Sequence, residues 1–90
     1  MNLHAALFKI SLYHSFLVQT MSDEFLRKLY KLSDGEYKII EKYKVGEEVG
    51  VLNSTDDIVD ELHKIGFIKK IGTTKILMTF EGKKEVEESN

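Results

Sequence analysis

The chain contains no cysteine, no proline and no tryptophan, and Arg27 is the one arginine among its 90 residues. Without cysteine it can form no disulfide and offers neither a thiol nucleophile nor a thiolate metal ligand. Three histidines, His4, His14 and His63, are few for a metal centre. No serine has histidine and acidic partners in a catalytic pattern, and the glycines form no phosphate-binding loop. We therefore expect no enzyme, no metal site and no cofactor.

The residues that are present favour one small folded domain. Hydrophobic residues make up 42% of the chain and charged residues 31%, a mixture too apolar for a disordered tail. The net charge of −2 gives no global attraction to nucleic acid or to an anionic membrane. Charge is nevertheless uneven, because residues 67–84 hold five lysines and one glutamate. This segment is the one cationic surface that the sequence predicts.

The first twenty residues are apolar on almost every side of a predicted helix. Polar residues interrupt the run, so a transmembrane helix is not expected, and no signal peptide is evident. Such a helix needs cover, which makes its regularly spaced apolar residues candidates for a homodimer interface. They are Leu3, Leu7, Ile10, Tyr13 and Leu17. We divide the chain into this helix, residues 1–20, and a domain, residues 21–90.

The methionine at position 21 leaves other interpretations of the first twenty residues open. Translation starting at Met21 would make them an upstream extension, and a membrane or targeting role is a further alternative. We expect a cytoplasmic protein with no membrane partner. The segment that starts at Met21 predicts a helix with Ser22 as its N-cap and with Phe25, Leu26 and Leu29 on its apolar face.

Residues 33–51 predict a second helix followed by a short helical stretch, before the third helix begins. Ser33-Asp34-Gly35-Glu36 has the spacing of a capping box, in which Ser33 and Glu36 each bind a free backbone amide. The helix that follows would place Tyr37, Ile40 and Tyr43 in the core. The glycines of Val45 to Val51 favour a short helix between turns, or a frayed helix end.

The last forty residues predict a helix, a hairpin and a final helix. Ser54 or Thr55 caps a helix whose core face holds Ile58, Val59, Leu62 and Ile65, and Gly66 ends it. Residues 67–71 and 76–79 have strand character on either side of a Gly-Thr-Thr-Lys turn. Residues 80–88 form a charged helix. The fold class is α+β and mainly helical.

This order of elements resembles the winged helix-turn-helix family, of the small type found in prokaryotes, archaea and viruses. Leu62-His63-Lys64-Ile65-Gly66-Phe67-Ile68, followed after a gap by Thr79-Phe80-Glu81-Gly82-Lys83, is similar to the family's frame around its wing. Val45-Gly46-Glu47-Glu48-Val49-Gly50-Val51 with Ser54-Thr55 is similar to its helix-turn-helix, with Gly46 at a position where alanine is usual. The resemblance covers residues 21–88. It implies a two-stranded hairpin wing, to which this chain adds the predicted N-terminal helix.

The resemblance also implies a function, that of a small DNA-binding transcriptional regulator. In this family the third helix enters the major groove and the wing contacts the adjacent backbone. We expect contact with double-stranded DNA mainly through the wing lysines, by a homodimer. The candidate DNA-binding residues are Ser54, Thr55, His63, Lys64, Lys69, Lys70, Thr73, Thr74 and Lys75. The lysines also have a second interpretation, since lysines on an edge strand prevent edge-to-edge aggregation.

The predicted third helix departs from the family because it carries Asp56, Asp57, Asp60 and Glu61. Four carboxylates would repel a phosphate backbone, so direct reading of the major groove by this helix is not expected. The first two also stabilise a helix N-terminus, and the others suit a solvated face. The alternative function is a protein-interaction module in which these acids bind a basic protein partner. A structural subunit that docks through residues 1–20 is a third hypothesis.

Overall fold

The computed structural model describes residues 20–89 of the chain. Four α helices and a three-stranded antiparallel sheet form this part, which confirms a mainly helical α+β fold. The elements in chain order are α1 (20–32), β1 (Ile40–Glu41), α2 (Lys42–Glu48), a 3-10 helix (Leu52–Ser54), α3 (Thr55–Lys64), β2 (Ile68–Ile71), β3 (Lys75–Met78) and α4 (Phe80–Glu88). The predicted N-terminal helix and its five dimerisation residues lie outside the described residues.

Every described helix and the hairpin contribute side chains to one core. Hydrophobic burial drives this packing, since each element is apolar on one face. The buried apolar residues are Phe25, Leu26, Leu29, Val45, Ile58, Val59, Leu62, Ile68, Ile76, Met78 and Val86. The predicted core face of α3 is confirmed for its first three residues, and Ile65 is partly buried.

The start of α1 differs from the prediction. Residue 20 is already helical, so Ser22 lies within the helix and is not its N-cap. The Ser22 side chain is buried, and its hydroxyl has no hydrogen-bond partner among residues 20–89.

The predicted capping box at residues 33–36 is wrong, because this segment ends α1 instead of starting a new helix. The Ser33 hydroxyl donates to the Leu29 carbonyl oxygen, one turn back. Asp34 and Gly35 have φ values of 56° and 70°, in the left-handed region that ends helices. The Gly35 amide then donates to the Tyr30 carbonyl oxygen, 2.9 Å away. This bond closes the helix and turns the chain.

The predicted second helix is correspondingly wrong over residues 37–41. Residues 37–39 are in neither helix nor strand, and Ile40–Glu41 forms β1, which pairs antiparallel with β3. Aromatic and β-branched residues favour this extended form once the helix has ended. The core positions predicted for two tyrosines are also wrong, since Tyr37 is 50% exposed and Tyr43 39%.

Strand β3 is central in the sheet, whose order is β1-β3-β2. The predicted hairpin is confirmed, and β1 makes a third strand that the sequence did not predict. In the register of the hairpin Lys70 lies opposite Ile76, and Lys69 lies opposite Leu77. Because neighbouring residues of a strand point to opposite faces, these two lysines lie on opposite faces of the sheet. This division of the hairpin lysines determines what each can contact.

Candidate nucleic-acid interface

Helices α2 and α3 meet at a contact between a glycine and a threonine. A Cβ atom on Gly46 would lie only 1.9 Å from Thr55 Oγ1, so the present helix spacing requires glycine here. Thr55 Oγ1 donates to the Val51 carbonyl oxygen at 3.2 Å, and the Val51 amide donates to the Gly46 carbonyl oxygen at 2.8 Å. These bonds fix the turn between the helices and therefore the direction of α3.

The first two predicted contact residues, Ser54 and Thr55, have different positions. Thr55 is fully buried against Gly46. The structure does not support its predicted contact with DNA, because its hydroxyl faces the protein. Ser54 is half-buried at the N-cap position of α3, and its side chain makes no capping hydrogen bond. The predicted side-chain cap is therefore wrong, while Ser54 stays a candidate for contact.

Asp56, in the first turn of α3, is bound by two residues of α2. Its Oδ1 lies 3.0 Å from Lys42 Nζ, and the Tyr43 hydroxyl donates to Oδ1 at 2.9 Å and to Oδ2 at 3.2 Å. Lys42 and then Tyr43 hold the pKa of Asp56 below its ordinary 3.8. The same hydrogen bonds raise the pKa of Lys42 and of Tyr43. This carboxylate is therefore ionised, and its charge is balanced by Lys42 within the protein.

Asp60, one turn further along α3, forms an ion pair with Lys70 of β2. Asp56 and Asp60 thus lie on the flank of α3 that meets α2 and the hairpin. Asp57 is exposed and Glu61 is half-buried, and neither forms an ion pair among residues 20–89. Two of the four acids on α3 are consequently paired with lysines, which weakens the negative field of the helix.

The outer face of the sheet carries the other two candidate lysines of the hairpin. Lys69 and Lys75 are exposed, and within the described chain neither forms an ion pair. Glu41 lies opposite Lys75 in the register of β1 and β3, yet the two side chains make no such pair. These two ammonium groups are accessible to an anion outside the protein.

The remaining candidates are also on the surface. Thr73 and Thr74 are exposed in the hairpin turn, and the Thr74 carbonyl oxygen accepts a bond from the Lys42 amide at 2.9 Å. His63 and Lys64 are exposed in the last turn of α3. The Lys42 amide thus joins α2 to the turn and Lys70 joins β2 to the flank of α3, while Lys69 and Lys75 lie on the opposite face of the sheet from Lys70. Lys42 and Tyr43 also belong here, although no sequence signal identified them.

The part of the chain that the structure describes also bears on two other kinds of function, metal binding and membrane crossing. It contains no group of three histidine or acidic side chains placed to hold a metal ion. Among residues 20–89, no helix combines the length and apolar character needed to cross a bilayer.

Comparison with known proteins gives no relative. No protein-family model, no curated protein and no solved structure matches this chain.

Proposed function

We propose that this chain is a small winged-helix DNA-binding protein that regulates transcription and contacts duplex DNA mainly through lysines of its β2–β3 hairpin. The order of its described elements is compatible with a winged helix. Two helices joined by a short glycine-containing turn precede the hairpin, an order of elements that supports a helix-turn-helix assignment. The family resemblance of the sequence supports the same assignment.

The observation that carries the proposal is the exposure of Lys69 and Lys75 on one sheet face without an ion pair to any of residues 20–89. Each such ammonium can bind a backbone phosphate and displace one of its counterions, which favours binding at low salt. Exposed Thr73 and Thr74 add hydrogen-bond donors in the turn between the strands. The hairpin therefore presents the groups that hold a DNA backbone without reading its sequence.

Helix α3 contributes less to this binding than the family pattern implies. Its exposed positive or hydrogen-bonding groups are concentrated in the last turn, at His63 and Lys64, while Asp57, which has no ion pair within the described chain, lies at the other end. A carboxylate at the helix N-terminus disfavours deep entry into the major groove, where that end usually contacts bases. We expect modest preference among DNA sequences.

The alternative, a module that binds a basic protein through α3, has less support. Lys42 and Lys70 already occupy Asp56 and Asp60, so a basic partner would have to displace both. The unpaired acids left on the helix are Asp57 and Glu61. A surface with two available carboxylates offers a basic protein little electrostatic complementarity.

The direct test is fluorescence anisotropy of a labelled mixed-sequence duplex, titrated with the full chain at several salt concentrations between about 50 and 200 mM. The variant is Lys69→Gln with Lys75→Gln. Loss of two phosphate contacts should reduce the slope of log affinity against log salt by about 1.8, since each contact contributes about 0.9. Binding at about 50 mM salt should weaken correspondingly.

A matched control is Lys31→Gln, which removes an exposed lysine from α1, on a different element. The salt slope of this variant should equal that of the wild type. Circular dichroism should show that all variants are folded. Absence of wild-type binding at the lowest salt would contradict the proposed function, and an unchanged slope in the double variant would contradict the role of the hairpin.

A further inference from the structure

A shallow cavity of about 230 Å³ lies between the start of α2, helix α3 and the hairpin turn. Lys42, Lys70 and Lys75 line it together with Gly72 and Thr73, and the described lining residues include no carboxylate. Lysine ammonium groups and a threonine hydroxyl are suited to binding a phosphate group. Lys75 borders the cavity at the start of β3, although its side chain belongs to the outer face of the sheet. Two of the three lysines, however, are engaged by aspartates of α3 just outside the cavity.

The two ion pairs differ in how firmly they hold their lysines. The Lys42 side chain is only 14% exposed, and its partner Asp56 is bound by Tyr43 as well. In contrast, Lys70 and Asp60 have side chains that are 41% and 62% exposed, and each has the other as its single ion-pair partner in the described chain. Exposed pairs of this kind contribute little to stability, so Lys70 can exchange partners.

We propose that Asp60 restrains DNA binding by occupying Lys70, the lysine that would otherwise hold a backbone phosphate in this cavity. The inference rests on the proposed function and names how a second lysine-lined surface of the same hairpin is regulated. In the free protein the Asp60 carboxylate takes the place of the phosphate. When a phosphate enters, Lys70 must leave Asp60, whose charge then lies unpaired close to the DNA.

This exchange has a measurable consequence for counterion release. A lysine that is free beforehand adds its full share to the salt dependence when it binds a phosphate. Lys70 adds little, because separation from Asp60 leaves a bare carboxylate that attracts a cation from solution. Removal of the Asp60 charge should therefore convert Lys70 into a full phosphate ligand, which steepens the salt dependence as well as strengthening binding.

The experiment compares Asp60→Asn with Asp57→Asn in the anisotropy titration described above. Both remove one exposed carboxylate from α3, but Asp57 has no lysine partner among residues 20–89. We expect D60N to steepen the slope of log affinity against log salt by about 0.9. Between about 50 and 200 mM salt, the affinity of D60N should therefore fall by a factor about 3.5 times larger than that of the wild type. D57N should keep the wild-type slope.

A third variant tests whether Lys70 is responsible. Combining Lys70→Gln with Asp60→Asn should return the slope to the wild-type value. Equal slopes for D60N and D57N, with wild-type binding intact, would overturn the restraint while leaving the proposed function standing. Absence of binding by the wild type and by every variant at about 50 mM salt would instead overturn the proposed function, and this inference with it.

Discussion

Tyr43 and Lys42 show that a single tertiary contact can change the role inferred for a residue from its sequence. In the sequence, Tyr43 has helical spacing with other tyrosines and is predicted in the core. In the structure its ring is partly exposed, and its hydroxyl binds Asp56 beside Lys42. The lysine and its aspartate are fourteen positions apart, so no local pattern relates them. Such a contact becomes visible only when two helices have been placed side by side.

Asp56→Asn should destabilise the fold at neutral pH and lose this effect in acid. The pKa of Asp56 is lowered in the folded chain, by Lys42 and then Tyr43, from an ordinary value of 3.8. A lowered pKa means that ionised Asp56 stabilises the fold above its unfolded pKa, and that this stabilisation disappears as the pH falls through the folded pKa. Urea unfolding should therefore separate wild type from D56N at about pH 7, and this difference should shrink progressively as the pH falls below the ordinary pKa of 3.8.

Asp57→Asn is the appropriate comparison, because Asp57 shares the first turn of α3 and its interaction with the helix dipole. At neutral pH, D57N should lower the free energy of unfolding less than D56N does. A difference between wild type and D56N that did not shrink at all as the pH fell below 3.8 would show that the ion pair is not its source.

At the scale of elements, the hairpin and helix α4 are joined by one threonine. Thr79 Oγ1 accepts a bond from the Gly82 amide at 3.1 Å and donates to the Gly66 carbonyl oxygen at 2.6 Å. The Thr79 amide also donates to the Phe67 carbonyl oxygen at 3.0 Å. One residue thus caps α4 and ties its start to the turn after α3.

Thr79→Ala should lower the free energy of unfolding by about 1 kcal/mol, the usual effect of losing a helix N-cap. The change should appear in urea denaturation as a lower midpoint with an unchanged slope. Thr79→Ser retains the hydroxyl and should remain close to wild type. A T79A midpoint equal to that of T79S would mean that the hydroxyl contributes nothing to the cap.

The contrast between α3 and residues 33–41 explains how much of the fold can be predicted from sequence. Around α3 several local signals agree: polar residues precede it, apolar residues recur on one face, and Gly66, with a φ of 89°, ends it. Ser33 and Glu36 match a capping box equally well. Whether these residues begin a new helix or end α1 depends on Asp34 and Gly35 adopting left-handed conformations, and on β3 being available to pair with Ile40.

The candidate site was predictable only in its hairpin. The positions of the wing lysines follow from strand alternation once the turn is known. Their pairing does not, because Lys70 meets Asp60 across the interface between β2 and α3. The acids of α3 therefore looked like an uninterrupted negative surface in the sequence, whereas half of them are balanced in the structure.

For the whole molecule, we expect the oligomeric state to depend on the predicted N-terminal helix. The buried core residues of the described chain lie between Phe25 and Val86, so a chain starting at Met21 keeps all of them. We expect the full chain to be a dimer and the chain of residues 21–90 to be a folded monomer, because loss of the apolar helix removes the predicted interface. Light scattering coupled to gel filtration measures both masses.

A matched variant of the full chain is Leu7→Glu with Ile10→Glu, which changes two of the predicted interface residues without shortening the chain. It should also be monomeric. A truncated chain that remained dimeric, with a native circular dichroism spectrum, would assign the interface to residues 21–90 instead.

The contact between Gly46 and Thr55 has a consequence for the evolution of this chain. Because the threonine hydroxyl occupies the space that a side chain at position 46 would need, position 46 cannot gain a side chain while Thr55 and the present helix spacing are retained. A larger residue at 46 requires a smaller one at 55, or a wider separation of the two helices. In related sequences, a larger residue at position 46 should therefore occur together with a smaller one at position 55. This paired change would help to identify relatives whose sequences otherwise show no detectable similarity.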